Sequence, residues 1–217
     1  MNPENIFLRQ LDILHPDEMK IDIGIVGCGG IGSPTALLLA KMGFPFITLY
    51  DFDLVEHHNL PNQWFRLEQV SKPKSEALKE NIKYFTGTDV INLPFRWTPQ
   101  TCRMHDVLIV GVDSMDERLK IWEWAKEQNI FYIEGRMGAE LIRLYALNTT
   151  DEIAKKKYEK FLYPSSEAAD VPCTARSIIY TTFLMAGLIG SQIKKFVKKE
   201  EYPLEVIFDV KTLTILT

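Results

Sequence analysis

A cluster of glycines after a short apolar run constrains the fold of this chain more than any other feature. Residues 21–32 read IDIGIVGCGGIG, and Ser33 and Pro34 then lead into the apolar stretch ALLLAKMG. The β-branched run predicts a strand, the glycines predict a tight turn, and Ser33 and Pro34 predict the start of a helix that Gly43 ends. A second buried strand at 46–50 completes a strand–helix–strand unit, which forms a parallel sheet with a right-handed crossover.

The alternation of strands and helices continues beyond this unit. Amphipathic periodicity predicts helices over 74–84 and 115–128, and apolar runs predict strands over 107–112 and 130–134. The pattern is typical of a doubly wound α/β domain. We therefore expect a Rossmann-like three-layer sandwich around a mainly parallel sheet.

The C-terminal half departs from this pattern. Residues 141–147 predict a strand, and 149–173 form a polar crossover loop in which 151–161 have helical character. A long apolar helix follows, and the tail segments LEVIFD and LTIL predict a hairpin, so we expect an antiparallel C-terminal extension of the sheet. The whole chain, 1–217, is predicted to form a single domain, with residues 1–20 as an N-terminal helical arm.

Composition excludes several classes of function. The chain has 25 Lys and Arg residues against 29 Asp and Glu, a formal charge of -4, and therefore no general attraction to nucleic acid or to an anionic membrane. Its three cysteines are too few and too scattered for a disulfide framework or a four-thiolate zinc site. Because no secretory leader and no long apolar run is present in the sequence, we expect a cytoplasmic protein.

The glycine turn itself predicts a nucleotide site. Residues 27–32 have the G-x-G-x-x-G spacing between a strand and a helix, where free backbone N–H groups and the helix dipole favour phosphate. Asp51 ends the second strand, where a carboxylate can accept hydrogen bonds from ribose hydroxyls. On these residues alone, NAD and ATP fit equally well.

Three further segments distinguish the two nucleotides. Residues 51–63 read DFDLVEHHNLPNQ, residues 72–77 read KPKSEA, and residues 110–114 read VGVDS. Together with the glycine turn they resemble the ThiF/MoeB/HesA superfamily, the adenylating enzymes that include ubiquitin-activating enzymes and activators of bacterial sulfur carriers. The resemblance covers residues 9–115 well and 135–195 loosely.

The resemblance implies a site for ATP and Mg²⁺. By it, the nucleotide-binding residues are Gly27, Gly29, Gly30, Gly32, Asp51, Asp53, Asn59, Gln63, Lys74 and Asp113. Asp51 would hold the ribose, Lys74 would contact phosphate, and Asp113 would hold the metal. A metal-bound carboxylate and a lysine ammonium suit the reaction because both offset the charge on the triphosphate. The alternative for Lys74 is a solvated lysine at a helix start, and for Asp113 a helix N-cap.

Two residues outside this set match catalytic segments of the family. Arg9, in FLRQ, resembles the arginine that the N-terminal helix projects into the nucleotide site of a dimer partner, so its role implies a homodimer. Cys173, in VPCTAR, resembles the catalytic cysteine segment of ubiquitin-activating enzymes. A thiol at a helix N-terminus beside Arg176 has its thiolate favoured by the dipole and by the charge. The alternative for Cys173 is a small apolar residue before a core helix.

The chain departs from the family pattern at one position of the nucleotide site. Asn62 stands where the family usually carries an arginine, and an amide cannot make the two-pronged phosphate contact of a guanidinium. Either a neighbour such as Arg66 substitutes, or ATP turnover is weaker, or the chain is a degenerate partner of an active homologue.

The sequence therefore predicts ATP-dependent adenylation of the C-terminal carboxylate of a small ubiquitin-like or sulfur-carrier protein, with thioester transfer to Cys173 as a further step. An NAD-dependent Rossmann oxidoreductase is one alternative, but it leaves Lys74 and Asp113 without a reason. A non-catalytic adaptor that pairs with an active homologue is the other alternative.

Overall fold

The computed structural model describes residues 6–167 and 177–217. Eight strands form one sheet in the order β3-β2-β1-β4-β5-β6-β7-β8. Their bounds are β1 (Asp22–Val26), β2 (Phe46–Tyr50), β3 (Ile91–Leu93), β4 (Val107–Val110), β5 (Phe131–Gly138), β6 (Leu141–Asn148), β7 (Glu205–Asp209) and β8 (Thr214–Leu216). Strands β1 to β5 are parallel, whereas β6, β7 and β8 pair antiparallel, which confirms the predicted sheet.

In the described ranges, five α-helices cover the two faces of the sheet. They are α1 (Gly32–Met42), α2 (Lys74–Thr86), α3 (Met115–Ala125), α4 (Glu152–Tyr158) and α5 (Ile179–Val197). Gly43 ends α1 with a φ of 106°, as predicted. None of the described helices is both long and apolar enough to cross a bilayer.

Alternation along the central strands builds a core on each face. In β4, Val107 and Ile109 pack with α1 and α5 on one side, whereas Leu108 and Val110 pack with α3 and α4 on the other. The second core is rich in aromatic rings, with Trp122 of α3 completely buried. Two helical layers around one sheet confirm the three-layer sandwich.

Strand β5 is longer than the sequence predicts, and its extra length shapes the site. Its pairing with β4 ends at Val110 opposite Glu134, but its pairing with β6 continues to Gly138 opposite Leu141. Residues 135–138 therefore project beyond the carboxyl edge of the parallel strands. This overhang, with the start of β6, stands beside the loops that follow β1 and β4.

The described part of the N-terminal arm contains less helix than predicted. It consists of turns followed by one 3-10 helix, Pro16–Met19. Leu14 and Met19 are buried in the main core and attach the arm to the domain. The crossover contains α4, capped by Asp151, which accepts hydrogen bonds from the N–H groups of Ile153 and Ala154.

Candidate nucleotide and substrate site

The glycine loop between β1 and α1 has little steric freedom. Gly27 has a φ of +91°, which L side chains rarely adopt. A Cβ on Gly32 would lie 1.8 Å from the Gly27 carbonyl oxygen, so only glycine fits at the start of α1. The Gly27 N–H donates to the Tyr50 carbonyl at 2.9 Å and ties the loop to β2. The loop is thus held in one shape by its own backbone.

Ser33 does not cap the helix, contrary to the prediction. Helix α1 begins one residue earlier, at Gly32, and its N-cap has no side-chain hydrogen bond. The Ser33 hydroxyl instead donates to the Gly29 carbonyl at 2.7 Å and accepts from the Trp64 N–H at 2.9 Å. It therefore joins the glycine loop to the segment that carries Asn62 and Gln63.

Asp51 ends β2 with its carboxylate facing the glycine loop. One oxygen accepts from the Cys28 N–H at 2.6 Å and the other from the Asp53 N–H at 2.8 Å. Burial raises the pKa of this carboxyl, an effect that the Cys28 N–H opposes. Each oxygen keeps a free lone pair for a hydroxyl donor. Burial also raises the pKa of the Cys28 thiol, in keeping with a packing role.

Lys74 is buried rather than solvated. It is the first residue of α2, only 8% exposed, and its Nζ lies 2.9 Å from an Asp53 carboxylate oxygen. A cation at a helix N-terminus is opposed by the helix dipole, so Asp53 is needed to hold it there. The pair lines the same cavity as the glycine loop.

The segment after residue 56 places amide side chains in the cavity. The side-chain oxygen Oδ1 of Asn59 accepts from the Glu56 N–H at 2.9 Å, which fixes this turn. The Asn62 amide donates to the Ser177 hydroxyl at 3.1 Å. Within the described part of the chain, the buried side-chain carbonyl oxygens of Asn62 and Gln63 have no hydrogen-bond donor. Both are available to a ligand.

Arg66 does not take the place of the missing arginine. Its guanidinium pairs with Glu68 at 3.1 Å and with Glu80 at 3.6 Å, and it does not line the cavity. Arg66 therefore supplies no cation to the site.

Asp113 follows β4 and is exposed on the cavity wall. It is not the N-cap of α3, because Ser114 has that role and accepts from the Glu117 N–H. The described residues contain no group of three or more His, Cys, Asp or Glu side chains arranged to hold a metal. A single carboxylate still suits Mg²⁺, which is commonly held by one or two carboxylates with substrate phosphates and water.

A buried ionic cluster that sequence reasoning missed lies beneath Asp113. Glu134 is completely buried between Arg118, 2.7 Å away, and Arg136, whose Nε contacts the same carboxylate oxygen. Arg118 also donates to the Val112 carbonyl, and the Tyr158 hydroxyl donates to Glu134. Alternation in β5 places Glu134 and Arg136 on one face, which was a readable signal.

One cavity of about 1660 Å³ joins these features. Its lining includes nine of the predicted site residues, Gly27, Gly29, Gly30, Asp51, Asp53, Asn59, Gln63, Lys74 and Asp113. Gly32 supports the loop from below, and exposed Arg9 does not line the cavity. Cys173 lies outside the described residues. The cavity is larger than common small-molecule pockets, which are about 300–1,000 Å³.

Comparison with known proteins agrees with this fold. A family model described as the ThiF family matches residues 17–215. Ubiquitin-like modifier-activating enzyme 5 of Dictyostelium discoideum is 40% identical over 77 residues, which is 35% of this chain and 20% of that protein. Adenylyltransferase and sulfurtransferase UBA4 of Yarrowia lipolytica is 45% identical over 58 residues, 27% of this chain and 15% of that protein.

Solved structures show the same architecture. The E. coli MccB structure with AMPCPP and selenomethionine MccA has a TM-score of 0.78 and 18% identity, covering 99% of this chain and 71% of that chain. At this identity the likeness shows the fold alone. The chain spans only a fifth or less of the length of the two curated relatives given above.

Proposed function

Since this chain belongs to the ThiF family, we propose that it uses ATP to adenylate the C-terminal carboxylate of a small ubiquitin-like or sulfur-carrier protein. The observation that carries the proposal is the convergence of Asp51, the Lys74–Asp53 pair and Asp113 on one cavity beside the glycine loop. E. coli MccB has been solved with ATP. A dinucleotide oxidoreductase would need neither the buried lysine nor Asp113.

In the proposed reaction, an oxygen of the tail carboxylate attacks the α-phosphorus and pyrophosphate leaves with the bonding electrons, so that an acyl adenylate forms. Bound Mg²⁺ would offset phosphate charge, and Asp113 would hold it. Lys74 supplies a further positive charge that Asp53 keeps oriented. Asp51 offers its free lone pairs to the ribose. Holding the reactants in line and stabilising charge account for the rate in such a step.

The test is ATP–pyrophosphate exchange with candidate carriers that end in Gly-Gly, together with thermal unfolding in Mg-ATP and in NAD. We expect carrier-dependent exchange and stabilisation by Mg-ATP. Asp113→Ala should abolish exchange and leave unfolding unchanged, whereas Glu123→Ala, which removes an exposed carboxylate on α3, should preserve exchange. Stabilisation by NAD alone would favour the oxidoreductase, and stabilisation by neither nucleotide would favour the adaptor.

A dimer is the proposed setting for Arg9. Two exposed aromatic side chains, Phe85 on α2 and Phe183 on α5, pack against Trp64, which directly follows Gln63. A second copy would cover them and bring its own Arg9 to this cavity. If so, Arg9→Ala and Asp113→Ala chains are each inactive but regain exchange when mixed, because one site of the mixed dimer is complete. Failure to complement would exclude the role of Arg9 in trans.

Cys173 is the proposed acceptor of the activated acyl group. Its thiolate would displace AMP from the acyl adenylate and form a thioester. Cys173→Ser should therefore retain pyrophosphate exchange but lose any thiol-sensitive adduct with the carrier. A thiol-sensitive adduct that survives the substitution would exclude this step, whereas a thiol-resistant adduct would be the oxyester expected on a serine at this position.

A further inference from the structure

Charge divides the lining of the cavity into two parts. The carboxylates that line it all lie at or before residue 117: Asp51, Asp53, Glu56, Asp113 and Glu117. The lining contributed by residues 118–163 and Ser177 includes four cations and, among these described residues, no carboxylate. The cations are Arg118, Arg136, Arg143 and Lys160. The cavity therefore has a basic part on the side of β5, β6 and the crossover.

Two of these cations face each other across neighbouring strands. Arg136 of β5 is directly opposite Arg143 of β6 in the antiparallel register, and both line the cavity. Like charges opposite each other on a sheet destabilise the pairing. Glu134 compensates Arg136 on the buried side, whereas Arg143 has a longer ion pair with Glu205, at 3.6 Å, and donates to the Tyr145 hydroxyl at 3.5 Å. An anion between the two arginines would remove the repulsion.

Arg136 also retains an unused donor. Its Nε contacts Glu134 and its Nη1 donates to the Phe161 carbonyl at 2.9 Å. Its Cζ lies 5.0 Å from the centroid of the Tyr145 ring, over which the guanidinium packs. The buried Nη2 has no partner among residues 6–167 and 177–217. An arginine fixed on three sides is a preorganised ligand for a carboxylate, which it can bind through the remaining N–H groups.

The basic part of the cavity is formed by other elements than the glycine loop. Arg136 belongs to the overhang of β5 beyond Glu134 and Arg143 belongs to β6. Lys160 lies in the 3-10 turn Glu159–Phe161, directly after α4. The carboxylate that is to be adenylated must remain free to attack phosphorus, so it cannot at the same time be held in an ion pair here. The anion that these residues bind is therefore a group of the substrate other than the carboxylate that reacts.

We infer that Arg136, Arg143 and Lys160 form a subsite for an acidic side chain in the substrate tail, close to the carboxylate that reacts. The inference rests on the proposed function and specifies its substrate class: a small protein or peptide with Asp or Glu near its C-terminus. A tail of small neutral residues alone would offer no side-chain carboxylate to the buried Nη2 of Arg136, which has no acceptor among the described residues.

The test is a library of free-carboxyl peptides randomised near the C-terminus and passed over the immobilised protein in AMPCPP. Retained peptides are sequenced, and in a parallel arm ATP is added and adenylated peptides are identified by mass spectrometry. We expect Asp and Glu to be enriched among the retained tails. Arg143→Gln and Lys160→Gln should each reduce the enrichment about two- to five-fold, as for partly exposed ion pairs. Lys156→Gln, an exposed cation of α4 away from the cavity, should not.

The outcomes separate the two proposals. Retained tails without acidic enrichment, or no retention, would overturn the subsite. Acidic retention without adenylation would leave the subsite in place and count against the adenylating function. If Arg143→Gln and Lys160→Gln weaken AMPCPP binding as much as peptide binding, the cations serve the triphosphate and the subsite is wrong.

Discussion

Two alanine substitutions in the glycine loop should separate folding from nucleotide binding. In Gly32→Ala, the new Cβ would lie 1.8 Å from the Gly27 carbonyl oxygen and 3.2 Å from Ile25 Cγ2, so the loop must retreat by more than an ångström. In Gly29→Ala, the nearest atom to the new Cβ is Gln63 Nε2 at 3.9 Å, an ordinary contact. The first change strains the loop, and the second only adds a methyl group to the cavity wall.

The expected loss of stability in Gly32→Ala follows from the contacts. Overpacking costs about 1–3 kcal/mol. The retreat also disturbs the two hydrogen bonds that Ser33 donates to the Gly29 carbonyl, each contributing about 1 kcal/mol. Alanine recovers about 1 kcal/mol through its higher helix propensity. The net loss is about 2–4 kcal/mol, or roughly 5–15 °C in Tm for a domain of this size.

Gly29→Ala should unfold like the wild type, within about 0.5 kcal/mol. Its methyl group would keep phosphate from approaching the loop backbone, and we expect ATP affinity to fall at least about ten-fold. At saturating nucleotide, that reduces the stabilisation by ATP by about 1.4 kcal/mol. The assay is thermal unfolding of both variants with and without Mg-ATP.

Wild-type ATP affinity in Gly29→Ala would show that the nucleotide does not lie against this loop. Wild-type stability in Gly32→Ala would show that the loop yields without cost, and the packing argument would be wrong. The two results are independent, so each part of the reasoning can fail separately.

Two further predictions concern buried ionisable groups. Glu134→Gln leaves Arg118 and Arg136 buried without a counter-charge and should lower the free energy of unfolding by about 3–5 kcal/mol in urea titrations. The control is Glu123→Gln, which removes an exposed partner of Lys126 and should change the free energy of unfolding by less than about 1 kcal/mol. Equal losses in the two variants would contradict the argument. Burial lowers the pKa of His105, against the opposing effect of Asp22, from an ordinary value of 6.5. The contribution of the neutral His105 side chain to stability is therefore present above pH 6.5 and is lost as the pH falls through the lowered pKa of the folded state. His105→Gln should therefore make the free energy of unfolding depend less on pH on the acid side. An unchanged pH dependence would exclude His105 as the cause of that loss of stability.

The parallel half of the fold could be predicted from the sequence because its signals are local. The glycine spacing, the apolar runs and the stop at Gly43 each depend on neighbouring residues. The position of Asp51 follows from the same logic, since parallel strands bring their carboxyl ends to one edge of the sheet. The roles of Lys74 and Asp113 came instead from the family resemblance. Asp51 and Asp113 line the same cavity although 61 residues of chain lie between them.

The errors in the prediction arise where a tertiary partner decides the outcome. Ser33 was expected to cap α1, but the Trp64 N–H and the Gly29 carbonyl bind its hydroxyl. Lys74 could not be distinguished from a solvated lysine until Asp53 was found beside it. Strand β3 has only three residues, too few for a periodic signal.

The change from parallel to antiparallel pairing at β5 links the fold to the proposed chemistry. A parallel strand ends where its crossover begins. The cavity is therefore lined mainly by the loops that follow β1, β2 and β4 and only a little by these strands themselves. The antiparallel pair β5–β6 does not end where the parallel strands end. It continues past Glu134, and this extension carries Arg136 and Arg143 on the wall of the cavity. Loop backbone and carboxylates suit a magnesium nucleotide, whereas a rigid basic strand pair suits an acidic peptide lying along it. In the proposed reaction, the parallel half would therefore hold the nucleotide, and the β5–β6 pair would orient the tail.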